Sequence, residues 1–186
     1  MNTTPVNTTA WDAALAFVWR PENDGADNNS APGETFLTRW GVTEDTWGYA
    51  QDEGVVPGNT ELRHASQDQL ATVLRTLFWN VCSCDRMAGG GARGVALMVF
   101  NMAMVAGPGR AARLLQRLIG ATEDGQIGPL TVSAMLSHTN HLDLIDKLAV
   151  ADEAFFASLA QAGRFLKGWD RRAEDAKKAA ILLENS

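Results

Sequence analysis

The sequence predicts an all-α protein on three observations. Apolar residues recur at helical spacing along its 186 residues, capping signals precede two of those stripes, and Gly/Pro clusters separate them. The chain suits one domain or two small ones, with 46% hydrophobic residues for a core.

The first stripe is Trp11, Leu15, Val18 and Trp19, at i, i+4, i+7 and i+8, one face of a short buried helix. Pro21 ends it, because proline disfavours helical geometry at Arg20. A stretch follows in which Asn23, Asp24, Gly25, Asp27, Asn28, Asn29, Ser30, Pro32 and Gly33 make turns, and carboxylates and aromatics crowd together over 19–43. We read it as an active-site loop. Glu22 falls just past the helix, whose carbonyl end disfavours a nearby anion, so a partly buried Glu22 would keep its proton to higher pH. A carboxyl that keeps its proton is a general acid. Most surface acids, by contrast, are merely solvated.

Thr43 is placed to cap a helix with Glu44 and Asp45 in its first turn and Trp47 and Ala50 on its buried side; Pro57, Gly58 and Asn59 turn the chain. Ser66 and Gln69 form a capping box for a helix bearing Leu70, Val73, Leu74, Leu77 and Phe78. After Gly89, Gly90 and Gly91, the run from Val95 to Val105 is apolar almost all round and is the expected central helix. Gly107, Pro108 and Gly109 lead to a helix with Ala111, Leu114, Leu115 and Leu118 inward and Arg110, Arg113 and Arg117 outward. Asp124 and Gly125 make a turn, and Pro129 suits the first turn of the next helix.

Charge and cysteines narrow the function classes. Net charge is −6, yet residues 1–62 hold ten acids and two bases, whereas Arg86 to Arg117 holds five arginines and no acid. That strip suits an anionic polymer by Coulombic steering or a solvated helix face, and without interleaved aromatics it does not suit nucleic acid. The longest apolar stretch, Val95 to Ala106, contains Asn101 and is too short to span a bilayer, so no membrane partner is expected. The N-terminal residues MNTTPVNTTAWD do not read as a conventional secretory signal, so the protein is expected to stay in the cytoplasm where it is made. Cys82 and Cys84, one residue apart, suit neither an unstrained disulfide nor zinc; reduced thiols, no metal and no cofactor are expected.

The pattern Glu22, Pro32, Gly33, Thr38, Arg39, Trp40, Gly41, Val42 and Thr43 resembles the opening of phage-type N-acetylmuramidases of glycoside hydrolase family 108. The segment 66–85 with its Phe78–Trp79 pair, the turn Asp124, Gly125, Gly128, Pro129 and Thr131, and the closing Phe165, Gly168, Trp169 and Arg172 resemble that family and a peptidoglycan-binding module. The chain departs from the pattern at Asn23-Asp24-Gly25, at Ala31, where an Asp is usual, and at Asn101 and Val105 in the central helix.

The resemblance implies a lysozyme-like helical fold with an active-site loop after the first helix, a muramidase region at 10–106 and a peptidoglycan-binding-like region at 107–186. It further implies an endolysin that cleaves the N-acetylmuramic acid to N-acetylglucosamine bond with Glu22 as general acid. Glycoside hydrolysis wants a second carboxylate, and with Ala31 in place the candidates are Glu34 and Asp27 ahead of Asp24, with Thr38 orienting water. Trp40, Trp79, Asn101 and Trp169 are candidate sugar contacts, the tryptophans having packing as their plainer role. Peptidoglycan is the expected partner, reached from the host cytoplasm once a separate holin-like, pore-forming partner permeabilises the membrane. A lytic transglycosylase using Glu22 alone, and a peptidoglycan-binding protein without catalysis, are the alternatives.

Overall fold

Helix α5 (Arg93–Ala106) is apolar on every side, and it forms the centre of the molecule: each residue from Gly94 to Ala103 is buried. The computed structural model describes residues 9–20, 37–158 and 162–186, with the backbone alone for 162–170. Among these, nine α-helices and one two-stranded hairpin are formed, and the architecture is the expected all-α, lysozyme-like one.

Helix α1 (Ala10–Val18) starts with a capping box between Thr9 and Asp12. Its innermost residues are Ala10, Ala14, Phe17 and Val18, one position round from the expected stripe; Trp11, Leu15 and Trp19 are half-buried at its edges. Two alanines facing inward let α1 approach α5 closely, and the indoles cover the sides. Beyond 21–36, strands β1 (Thr38–Arg39) and β2 (Val42–Thr43) pair antiparallel, Thr38 opposite Thr43 and Arg39 opposite Val42.

Thr43 then caps α2 (Glu44–Asp52) by accepting from the Thr46 N–H, and Trp47 and Ala50 are its buried side, as expected. Ser66 and Gln69 make both bonds of a capping box on α3 (Gln67–Leu74). A π-helical turn, Arg75–Trp79, continues α3, with the Asn80 N–H reaching the Arg75 carbonyl at 2.9 Å. The extra residue in that turn brings both Phe78 and Trp79 inward and leaves Leu77 half-exposed. Cys84 and Asp85 open a further helix, α4 (Cys84–Gly89).

Helix α6 (Pro108–Ile119) buries Ala111, Ala112, Leu115 and Gln116, so its inner face is shifted from the expected one and includes a polar residue. Pro129 begins α7 (Pro129–Leu136). The paired helices α8 (His141–Ser158) and α9 (Ala162–Glu184) close the core against α5. There Gly94 leaves no room for a side chain, since a Cβ would lie 2.3 Å from the Ala180 carbonyl oxygen. Glu184 ties the three helices, accepting from the Gly94 N–H at 2.6 Å and meeting His141 Nδ1 at 2.6 Å.

Candidate active site

The hairpin that follows 21–36 is built to hold one shape. Its two central residues, Trp40 and Gly41, both have positive φ, at 50° and 81°, as in type I′ turns. Glycine suits position 41 because a φ of 81° strains any other residue; a Cβ there would also lie 2.7 Å from the terminal methyl of the flexible Met104 side chain on α5. Trp40 pays a left-handed strain of about 1 kcal/mol, which its packing offsets: its ring meets Trp19 edge-on, centroids 5.1 Å apart. Arg39 reaches back from β1 and donates to the carbonyls of Leu62, Arg63 and Ala65 at 3.1, 3.2 and 2.7 Å. Glu44 Oε2 accepts from the Leu37 N–H at 3.3 Å. The described segments on either side of 21–36 are thus joined by the Trp19–Trp40 pair. A 290 Å³ cavity lies on the hairpin's flank, lined by Leu37, Glu44, Trp47, Gln51, Glu61 and Arg63.

Beneath the end of α1 lies a buried polar relay. The Arg20 and Arg172 guanidinium groups sit 5.2 and 5.5 Å from the Phe17 ring centroid. Arg172 Nε donates to Asn101 Oδ1 at 3.0 Å, and Asn101 Nδ2 donates to Asp152 Oδ2 at 3.1 Å. Asn101 and Asp152 are each 1% exposed, and Asp152 Oδ1 has no partner among the described residues. Burial pushes the Asp152 carboxyl up to about 7 against the pull of the Asn101 bond and the Arg172 charge; burial likewise pushes Arg172 down to about 10.

The residues expected at the site are distributed as follows. Glu22, Asp24, Asp27 and Glu34 lie outside the described residues. Thr38 is half-buried on β1, and Trp40 is half-exposed at the hairpin tip. Trp79 does not wall a cleft: it is fully buried, packed edge-on with Trp11 and Phe100 at 5.3 and 5.5 Å, and its indole N–H donates to Asp85 at 2.8 Å. Asn101 is likewise no sugar contact, because both ends of its amide are engaged inside the protein. Trp169 lies on α9, its side chain outside the described residues.

Sequence reasoning missed Asp152 and the role of Arg39. Asp152 had a visible signal, since it continues the i, i+4 series of Leu144, Leu148 and then Phe156 on the buried face of α8. Arg39 had none, because its carbonyl partners lie 23 to 26 residues away.

The second motif, 120–128, is a loop fastened from inside. Gln116, fully buried, donates through Nε2 to Asp124 Oδ1, the Gln126 carbonyl and Thr131 Oγ1 at 2.6, 2.9 and 3.1 Å, and its Oε1 accepts from the Gly125 N–H at 3.0 Å. Ser83 Oγ donates to the Ile127 carbonyl at 2.7 Å. A 370 Å³ cavity opens beside this loop. A larger groove of 580 Å³ lies elsewhere, lined by Thr9, Trp11, Arg75, Asp85, Gly89 and Arg93. Both cysteines are buried free thiols, Cys82 pushed up to about 12 by burial. Among the described residues no three His, Cys, Asp or Glu side chains cluster to hold a metal, and no helix is long and apolar enough to cross a membrane.

Comparison with known proteins yields two family matches and one structural neighbour of note. The glycosyl hydrolase 108 family matches residues 15–107, half of the chain, and a predicted peptidoglycan domain matches 110–174. No curated protein matches the sequence. Among solved structures, SagA of Brucella abortus superposes with a TM-score of 0.79 at 25% identity, covering 95% of this chain and 96% of that one.

Proposed function

Because the chain belongs to the glycosyl hydrolase 108 family and carries a peptidoglycan domain, it is a glycoside hydrolase of peptidoglycan, and we propose that it cuts the N-acetylmuramic acid to N-acetylglucosamine bond with Glu22 as general acid. In that reaction Glu22 gives its proton to the glycosidic oxygen as the bond from the anomeric carbon breaks. Water adds its hydroxyl to that carbon, and a second carboxylate, Glu34 or Asp27, takes the remaining water proton. Thr38 orients the water, and the exposed side of Trp40 offers a sugar platform.

One observation carries this reading. The described ends that bracket the carboxylate-bearing segment in sequence are joined by the Trp19–Trp40 pair, and strand β1 is clamped by Arg39 on three carbonyls. A preorganised site requires its flanking segments to be fixed, and both described ends are. Two guanidinium groups, of Arg20 and Arg172, lie over Phe17 in the last turn of α1.

Ala31, standing where the family usually has Asp, favours a second reading, in which the sugar's own hydroxyl attacks and Glu22 alone serves as acid and base. Products from purified peptidoglycan separate the two by mass. The hydrolase leaves reducing muramic acid ends, whereas a transglycosylase leaves anhydro ends lighter by one water; exclusively anhydro products would replace the first reading with the second. A protein that retains sacculi and releases neither product is a binding module only.

A further inference from the structure

The cavity beside loop 120–128 has the wrong lining for a sugar and the right one for a peptide. Its walls are Pro108, Gly109, Ala112, Gly125, Gln126, Ile127 and Gly128, with Val81 at the rim, so among the described residues it offers no aromatic face on which a pyranose ring could stack. Small residues leave backbone accessible and room for short side chains. Its 370 Å³ falls at the small end of ligand pockets, enough for a few short residues. The surroundings are apolar as well: Val81 is 55% exposed, and Leu130, two residues beyond Gly128, is 87% exposed.

A single charge completes the arrangement. Of the three outward arginines on α6, Arg117 is engaged by Glu123 through bonds of 3.1, 3.2 and 2.7 Å, and Arg110 lies over the Phe155 ring at 4.7 Å. Arg113 instead lies beside Gly125 and Gly109, two residues of the cavity wall. A Cβ on Gly125 would be 2.9 Å from its Cζ, and its own hydrogen bond, to the Gly109 carbonyl, is a long 3.4 Å. The nearby acids are already occupied, Glu123 by Arg117 and Asp124 by Gln116 and the Gln126 N–H. Besides those hydrogen bonds, the Arg113 charge also lowers the pKa of Glu123 and Asp124, but among the described residues no carboxylate is hydrogen-bonded to the Arg113 guanidinium, which can take one in the bidentate manner that suits Arg. The loop is also fixed in advance by Gln116 and Ser83, so a ligand would not bear the cost of ordering it.

We propose that this cavity binds the peptide stem of the wall polymer, its small alanine side chains against Ala112, Ile127 and the glycines and a free stem carboxylate on Arg113. The proposal rests on the peptidoglycan reading above and specifies which part of the polymer the C-terminal module grips: the peptide, leaving the glycan to the 21–43 region.

The test is binding by the full chain to four probes: intact sacculi, glycan strands stripped of peptide by an amidase, the synthetic stem L-Ala-γ-D-Glu-meso-diaminopimelate-D-Ala, and chitotetraose. Two variants accompany it. Arg113→Ala removes an exposed side chain, and Gly128→Val adds bulk where φ is ordinary and a Cβ meets nothing within 4 Å, so both keep the fold. The expected result is saturable binding of the stem peptide, weakened at least tenfold by either variant, with stripped strands held less tightly than sacculi and chitotetraose binding unaffected by the substitutions. Stripped strands that bind as well as sacculi, or variants that bind the stem as tightly as the parent, overturn the proposal while the peptidoglycan reading stands. Failure to retain intact sacculi overturns both.

Discussion

The hairpin at Trp40–Gly41 and the loop at 120–128 are each fixed by one side chain that makes several hydrogen bonds, and they differ in where that side chain sits. Arg39 belongs to the hairpin and reaches outward to a neighbouring turn, where its carbonyl partners are partly exposed. Gln116 belongs to the neighbouring helix and reaches into the loop from a fully buried position. Water can replace Arg39 at its carbonyls; at Gln116 it reaches the exposed Asp124 and Gln126 but not the buried bond to Thr131. Losing the inner clamp should therefore damage the fold, and losing the outer one should damage the loop it positions more than the protein as a whole.

The largest effect is expected from Gln116→Leu, which leaves the Gly125 N–H and the oxygen of Thr131 without their buried partner. A loss of about 3 kcal/mol in urea unfolding is predicted; a midpoint equal to the parent's would show that the loop does not need its inner clamp.

Asp152 offers a clamp of a third kind, buried and titratable. Its folded pKa is raised, to about 7 from 3.8, so between those values the folded state holds a proton that the unfolded chain has released. Stability is then greatest below about pH 4, falls as pH rises and levels off above 7. Asp152→Asn keeps an acceptor for Asn101 and removes the titration, which should flatten thermal stability across that window and raise it above the parent by about 2 kcal/mol at pH 8. A variant that follows the parent's pH profile would place the titrating group elsewhere.

For the outer clamp, Arg39→Ala should cost about 1 kcal/mol of stability, yet lower the turnover of purified peptidoglycan about tenfold or more. Equal fractional losses in the two measurements would erase the contrast with Gln116. Smallest of all, Gly41→Ala should cost about 1 kcal/mol, because the left-handed φ is strained while the methyl group of Met104 can move aside. A loss several times larger would mean that Met104 is immobile.

These contrasts also explain what the sequence made legible. Helices announced by caps and glycine or proline breaks formed where expected, as at Thr43, Ser66 and Pro129, because those signals act within four residues. Inner faces were legible only to within about one position. Ala10 and Ala14 lie inside α1 instead of the tryptophans, and Gln116 is buried in α6, since periodicity weighs size and polarity while packing also rewards small residues and satisfied amides. Trp79 and Asn101 were misplaced as sugar contacts for a related reason: an aromatic or amide side chain that suits a ligand suits a buried network equally well. The site's motif at Arg39–Thr43 was visible as a pattern, but its clamp depends on carbonyls more than twenty residues away, beyond the reach of local spacing.

The central claim concerns Glu22, and turnover of purified peptidoglycan by Glu22→Gln, measured beside its melting temperature, tests it most directly. Loss of turnover by about 10²-fold or more is predicted, the scale of lost general acid catalysis, with the melting temperature close to the parent's. Turnover near that of the parent, in a variant that melts normally, would contradict the assignment of Glu22 as the acid.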